Sequence, residues 1–574
     1  MNAKKIISLA TGFGAGILIG EAIKKTGICP RCVAKKAFEA TRVHIDEKEK
    51  FTNGVALTPP MGWSSWNTFR NSIDESLIKE TARALVKTGL SDAGYVYVNL
   101  DDCWHSSLRT ADGRLQGDLT RFPRGIKPLI DDINELGLKV GLYTSNGTLT
   151  CEDLPASLYN EAIDADTFAE WGAEYFKYDF CHNEPIPTIA PKIIKITIGK
   201  QGETDFISLY ANHGEISDGA KVFPDDRVDG GYVVGNLCGG LGKLTFNTID
   251  VPDSGEYTLT IVFRKGGQQR KFLVCRVNGE VEYDCYFPAS KEFTADGRLQ
   301  VKLTLTKGLN TLEFYNPIAS KMDSAQRQYI KMGNELRRAT KEYAQRNGIE
   351  EKPICYSICE WGKNQPWKWG HKAGNLWRTT PDIRPTWLSM IGIYEVNVRL
   401  YKHASPGCWN DPDMLEVGVG ELSVEENKTH FTLWCMMAAP LILGNDIRKF
   451  INPDGTVDAD NKILAILKNK ALIDIDQDKR GLQCKRIYTN AFTDILVKPL
   501  ENRELAVCFL NKSNEEKHMV LPISKLHNEP YVDLPIAKQY VATELWENTE
   551  ATITDCIDCT VTPHGVKVYK IQTH

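Results

Sequence analysis

The apolar positions change their period several times along the chain. From Val55 to about Glu184, strand-like and helix-like stretches alternate. Met61-Gly-Trp-Ser-Ser-Trp66-Asn67 is followed by a helix from about Asp74, in which Ile78, Ala82 and Leu85 recur at helical spacing. The β-branched and aromatic run Tyr95–Leu100 then stops at Asp101, Asp102, Cys103 and Trp104. A second helix carries Ile126, Leu129, Ile130 and Ile133, and Gly137 stands where a C-cap belongs. Lys139–Thr144 reads as a strand and a helix follows near Asp166–Trp171. Glu174–Cys181 reads as a buried strand that points Lys177 and Asp179, two positions apart, to one face.

At about Glu184 the alternation stops. Short β-rich segments such as Lys243–Asn247, Tyr257–Phe263, Phe272–Val277, Val301–Thr306 and Thr311–Tyr315 are punctuated by glycine, proline or aspartate, which predicts an inserted β-sandwich without helices. A long amphipathic helix, Asp323–Asn347, restarts the pattern. Strand Pro353–Cys359 ending in Glu360, and segments at Thr379–Asp382, Trp409–Asp413 and Pro440–Asp446, bring the strand-like stretches on the two sides of the insert to about eight. Parallel βα units in such a row make a doubly wound sheet or an eightfold barrel. Carboxylates close one strand after another, which favours the barrel, whose sites form at the C-terminal strand ends. The predicted layout is an N-terminal segment (1–54), a (β/α)8 TIM barrel in two parts (55–184 and 322–476), the inserted sandwich (185–321) and a C-terminal antiparallel β domain of strands alone (477–574).

The composition is that of a folded α/β protein, 42% hydrophobic and 25% charged in 574 residues. A formal net charge of −5, without long runs, argues against nucleic acid or an anionic membrane and suits a neutral ligand. Many of the 16 cysteines, Cys275, Cys435 and Cys508 among them, stand singly in apolar runs and read as buried free thiols. Cys29 and Cys32 form a C-x-x-C with no second pair at metal spacing. Lys4 and Lys5 precede an apolar run from Ile6 to Gly20. That run falls short of the roughly 20 residues of a membrane span and lacks a cleavage site, so a tether, an uncleaved signal and a helical tail stay open. The single cysteines point to the cytoplasm, residues 4–25 to anchoring or export.

The strand ends contribute Trp66, Asp101 with Asp102, Tyr143, Lys177 with Asp179, Glu360, Arg378 with Asp382, and Asp413. Carboxylates, cations and tryptophans converging in one mouth suit a sugar, whose C–H face stacks on aromatic rings and whose hydroxyls take bidentate partners. Asp179 is the first candidate nucleophile, with Lys177 near enough to keep it ionised. Each piece has a plainer reading. Asp101-Asp102 could be a helix cap, Asp411 and Asp413 could be turn residues, and Arg378 with Asp382 a structural ion pair. Those readings fit the single motifs better than their repetition in successive units. No calcium loop of spaced ligands accompanies them, so no metal is expected.

Taken together, Met61-Gly-Trp-Ser-Ser-Trp-Asn, Asp101-Asp-Cys-Trp, Phe176-Lys-Tyr-Asp, Cys359-Glu-Trp, Trp377-Arg-Thr-Thr-Pro-Asp and Trp409-Asn-Asp-Pro-Asp-Met-Leu resemble glycoside hydrolase family 27, the retaining α-galactosidases and α-N-acetylgalactosaminidases. The resemblance implies the barrel and antiparallel domain read from the pattern, and no cofactor. It implies Asp179 as nucleophile and Asp382 as acid and base, initially protonated, with carboxyl groups about 5–5.5 Å apart. By motif, Asp101 and Asp102 would hold the 4- and 6-hydroxyls, Lys177 the 3- and 4-hydroxyls, and Glu360 with Arg378 the 2-position. Trp66 would pack on the ring, Tyr143 and Asp413 would support the pocket, and Cys151 with Cys181 match a disulfide beside it. Cys103 lacks its usual partner, Pro381 stands where most relatives have glycine, and the insert looks like carbohydrate-binding modules of the family 6 and 35 type or a spacer. The implied function is a retaining exo-α-galactosidase acting on oligosaccharides or glycoconjugates. An α-N-acetylgalactosaminidase, a β-L-arabinopyranosidase and a non-hydrolytic galactoside-binding protein are the alternatives.

Overall fold

A computed structural model describes residues 48–200, 204–264, 269–288 and 296–573. The readings of residues 4–25 and of Cys29 and Cys32 lie outside the described residues. No described helix is long and apolar enough to cross a membrane. The described residues up to Asn183, with those from Tyr329 onward, form one compact unit, and Glu184–Gln328 form another.

In the first unit, eight parallel strands follow the chain in order: β1 (Met61–Ser64), β2 (Tyr97–Asn99), β3 (Lys139–Ser145), β4 (Tyr175–Asp179), β5 (Cys355–Ile358), β6 (Leu376–Arg378), β7 (Trp409–Asp411) and β8 (Leu441–Leu443). Their spatial order is β7-β6-β5-β4-β3-β2-β1-β8. Beyond β7, Leu415 forms a parallel bridge to Leu443, and the Leu415 amide donates to the Ile442 carbonyl at 2.8 Å, which closes the ring. Because side chains fill the barrel inside and helices cover it outside, the strands are apolar on both faces and almost every strand residue is buried. Helix α1 (Glu75–Lys87) starts at Asp74, whose carboxylate accepts from the Leu77 amide, and buries the predicted stripe of Ile78, Ala82 and Leu85. Helices α2 (Ile126–Asn134), α3 (Glu161–Trp171), α4 (Lys321–Asn347, in this unit from Tyr329), α5 (Trp387–Asn397) and α6 (Val424–Met436) stand between later strands, and Gly137 after α2 takes the left-handed conformation expected of it, φ 79°.

The Glu184–Gln328 unit is a sandwich of two antiparallel sheets. One carries Asp296–Leu305, Gly255–Arg264, Lys192–Gly199, Tyr232–Gly235 and Lys221–Pro224 in that order, with Ile207–Tyr210 paired to Lys192–Gly199. The other carries Val281–Phe287, Lys271–Val277, Gly308–Tyr315, Lys243–Val251 and Glu215–Ser217. Ile196, Leu259, Ile261, Leu273, Leu305 and Phe314 form part of their shared core.

The C-terminal residues build a six-stranded antiparallel sheet, from Lys485–Thr489 at one edge to Thr549–Ile553 at the other, and a two-stranded ribbon of Lys517–Pro522 with Cys556–Val561. A short helix, Ile523–Asn528, interrupts what the alternation predicted as strands alone. Its Ile523 and Leu526 are buried in the same core as Val507 and Phe509. This domain is tied to α5 by buried charge. The fully buried Asp494 accepts from Tyr394 Oη at 2.8 Å, from Arg486 at 3.0 Å and from Lys512 at 3.0 Å, while Glu395 takes the same two cations at 2.7 and 3.1 Å. Removing one member leaves the others desolvated without compensation, at a cost of roughly 3–5 kcal/mol. Asp494→Ala is therefore expected to lower the chemical-denaturation midpoint and Tm markedly. An unchanged Tm would mean that the cluster adds nothing to docking.

Candidate active site

The C-terminal strand ends converge on one cavity of about 430 Å³. Its lining includes Trp66, Asp101, Asp102, Tyr143, Lys177, Asp179, Arg378, Asp382 and Asp413. Trp66 opens the helical turn after β1, and Asp101 and Asp102 follow β2. Tyr143 lies in β3, Lys177 and Asp179 in β4, and Arg378 ends β6. The loop after β2 is held by Arg109, which makes a bidentate pair with buried Asp164 at 2.6 and 2.8 Å, and by Trp104 Nε1, which donates to the Tyr143 carbonyl at 2.8 Å.

Asp179 Oδ2 accepts from Tyr143 Oη at 3.0 Å and Oδ1 from the Phe180 amide at 2.9 Å. Its ion pair with Lys177, expected from their shared face, is not formed. Lys177 Nζ instead meets Asp101 Oδ2 at 2.9 Å and lies 5.3 Å from the centre of the Tyr143 ring. Burial raises the Asp179 pKa, and the nearby Lys177 charge and the Phe180 amide oppose the rise without cancelling it. Asp102 accepts from the Cys103 amide at 2.7 Å and the Glu152 amide at 3.0 Å, and burial pushes it up to about 6.

Arg378, which is buried, is the second cation paired within the cavity wall. Nη2 contacts Asp382 Oδ1 at 3.0 Å and Asp413 Oδ2 at 2.9 Å. Partial desolvation works to raise the Asp382 pKa, but the Arg378 guanidinium holds it below the usual carboxylate range. The expectation of an initially protonated Asp382 is thereby reversed in this arrangement. Asp413 takes a left-handed φ of 82°, held by hydrogen bonds from the Ile383 and Met414 amides to its carboxylate and from its own amide to Asp411, each 2.8 Å.

Glu360 does not join the cavity lining. It is fully buried, its Oε1 accepts from both the amide and the Nδ2 of Asn364 at 2.5 Å, and burial pushes its pKa up to about 7. Asn364, four residues on, captures the side chain that the motif assigned to a sugar hydroxyl. Its neighbour Trp361 lines the cavity instead, as do Asn67, Pro381 and Met414, all within quoted motifs, and Arg70 and Arg384, which no motif marks.

Cys151 and Cys181 form a disulfide with Cα atoms 5.2 Å apart. Gly147 lets the β3 loop approach it, since a Cβ there would fall 1.9 Å from the Cys181 carbonyl oxygen. Cys103, Cys275, Cys435 and Cys508 are free and buried. Cys151, Asp179 and Cys181 are close enough to share a metal ion, but both sulfurs are committed to the disulfide and offer no thiolate.

Behind the cavity wall, buried Glu416 accepts from Asn67 Nδ2, while its Oε2 has no partner among the described residues. Burial, with the negative charge of Asp413, pushes Glu416 up to about 8.

The family model described as "Alpha galactosidase A" matches residues 58–198 and 299–478, and that described as "Alpha galactosidase C-terminal beta sandwich domain" matches 491–571. The probable alpha-galactosidase of Dictyostelium discoideum is 30% identical over 515 residues, 89% of this chain and 92% of that protein. Alpha-galactosidase 3 of Arabidopsis thaliana is 29% identical over 516 residues, 89% of this chain and 82% of that protein. Among solved structures, alpha-galactosidase I from Mortierella vinacea superposes with a TM-score of 0.61 at 26% identity, over 91% of this chain and 98% of that one.

The raised pKa of Glu416 makes a stability prediction. Between the usual glutamate value of 4.5 and about 8, the folded state holds a proton that the unfolded state has released. Its contribution is complete below the unfolded pKa and is lost as pH rises toward the folded one. Glu416→Gln, which stays neutral, should therefore gain Tm relative to the parent across pH 4.5–8. A Tm difference constant over that window would rule out the buried neutral carboxyl.

Proposed function

The chain belongs to the alpha galactosidase A family, glycoside hydrolase family 27, and from that membership we propose a retaining exo-α-galactosidase in which Asp179 is the nucleophile and Asp382 the acid and base. The observation that carries the proposal is that both carboxylates line one cavity in two different environments, Asp179 buried without an ion pair among the described residues and Asp382 largely exposed, its side chain at 72%, on an arginine. In the first step Asp179 attacks the anomeric carbon and Asp382 gives its proton to the leaving oxygen as the glycosidic bond breaks. In the second, Asp382 takes a proton from water, which attacks the same carbon and frees Asp179 and galactose with retained configuration.

Asp382 must take up a proton and turn from Arg378 to the glycosidic oxygen. Arg378 keeps a charge partner when it does, because Asp413 remains at 2.9 Å. The Asp101–Lys177 pair and Asp102 are suited to the ring hydroxyls, and Trp66 to the C–H face. Glu360 is absent from the cavity lining, so of the two residues the motifs assign to the 2-position only Arg378 lines it. Preference for galactose over N-acetylgalactosamine then follows from the named relatives. Retention of both Asp101 and Asp102 in the cavity supports a sugar with a 6-hydroxyl over an arabinopyranoside.

The direct test is hydrolysis of matched aryl α-galactoside, α-N-acetylgalactosaminide and β-L-arabinopyranoside. The galactoside should be preferred, and Asp179→Asn should abolish turnover. Loss of the general acid in Asp382→Ala should cost about 10²–10⁴-fold with an alkyl leaving group and much less with an activated aryl one. Equal losses on both would remove Asp382 from the role. A further expectation concerns Asp413. Asp413→Asn leaves Arg378 with a single direct counter-charge and lowers the Asp382 pKa further; because Asp382 already lies below Asp179, this should move the acidic limb of the kcat/KM profile to lower pH. A limb that stays in place or moves up would contradict the shared-arginine account.

A further inference from the structure

Four cationic side chains line the cavity, and they divide by depth. Lys177 and Arg378 are engaged by Asp101, Asp382 and Asp413. Arg70 and Arg384 are exposed and make no ion pair among the described residues. Arg70 lies over Trp66, 5.4 Å from the ring centre. A third exposed cation, Lys363, stands 4.3 Å from the centre of the Trp361 ring, itself part of the lining. These three follow β1, β5 and β6. The rim after β3 has the opposite sign, with Glu152 and Asp153 next to Cys151.

The unpaired cations stand on the side where the leaving group departs. Asp382 must reach the glycosidic oxygen, Arg384 is two residues from it, and the charge of Arg70 already acts on the Asp382 carboxylate. Galactose is neutral and its hydroxyls are matched by the deep groups, so the rim cations face whatever the galactose is attached to. The chain carries a formal net charge of −5, so its overall field does not draw anions, and any anion must be recognised locally.

We propose that the enzyme's preferred substrates are α-galactosides whose leaving group is an acidic sugar, carrying a carboxylate or a sulfate ester that meets Arg70 and Arg384 at the rim. The proposal rests on the α-galactosidase reading and names its substrate class. Guanidinium groups suit both oxyanions through paired N–H donors. Trp66 and Trp361 hold two of the three cations in place without neutralising them.

The test uses the full-length enzyme and three disaccharides of one linkage, α-galactose on glucose, on glucuronate and on 6-sulfated glucose. At low ionic strength kcat/KM for at least one acidic disaccharide should exceed that for the neutral one by about three- to tenfold, and the ratio should shrink as salt is raised. Arg70→Gln and Arg384→Gln should each narrow the acidic-to-neutral ratio. A ratio cancels any general loss of activity, and Lys363→Gln supplies a third probe if one variant folds poorly. A carboxylate-only or sulfate-only preference supports the proposal and identifies the anion. Equal or better hydrolysis of the neutral disaccharide at low salt, or a ratio that none of the substitutions moves, overturns it and leaves the α-galactosidase reading intact. Failure to hydrolyse any of the three, or an aryl α-galactoside, overturns both.

Discussion

Five carboxylates line one cavity at the mouth of the barrel, and only two cations sit among them at depth. Such a cluster is tolerable because Lys177 and Arg378 are each placed where a single charge serves more than one acid. Lys177 pairs with Asp101 and lowers the proton affinity of Asp179 through space, and Arg378 bridges Asp382 and Asp413. Desolvated charges are costly unless compensated, so the pairing itself sorts the acids. Those with a direct cation are held in place. Asp179 has a tyrosine hydroxyl and a backbone amide instead, and burial raises its pKa against the opposing charge of Lys177.

The scaffold fixes that arrangement from behind. Tyr329 of α4 donates to the Asp179 carbonyl at 3.0 Å, which anchors the end of β4. Across the β3–β4 mouth the Cys151–Cys181 disulfide limits how far the two loops can part, and the β7 loop is committed to an unusual φ at Asp413 by its own hydrogen bonds. Preorganisation of this kind matters most for electrostatics, because dipoles and charges already oriented need no reorganisation when charge develops. The C-terminal sheet contributes through α5, whose N-terminal residues follow the Asp382 loop directly and whose Tyr394 and Glu395 are locked into the Asp494 cluster.

Periodicity made the barrel legible, because strands buried on both faces and helices with one apolar stripe differ plainly in pattern, and polar residues at the strand ends marked its mouth. Nine of the ten residues expected at the site do line one cavity. What the sequence did not disclose is side-chain partnership. Glu360 sits after its strand as expected but turns into Asn364, and Lys177 shares a strand face with Asp179 yet pairs across to Asp101. Such choices depend on residues from other loops, which no local pattern encodes. Arg70 and Arg384 read like any surface charge, since their significance comes only from the walls they share.

The contrast in exposure between the two proposed catalytic acids follows from what each must do. A nucleophile that forms an ester with sugar gains from a site closed to water, and Asp179 is 6% exposed. An acid that becomes a base must exchange protons twice in each cycle and finally admit water, so it belongs where solvent reaches it, and the Asp382 side chain is 72% exposed. Exposure alone would leave it mobile. Its pairing with Arg378 restrains it, and because Asp413 holds the same arginine from the buried side, releasing Asp382 to the glycosidic oxygen never leaves a buried cation without its counter-charge.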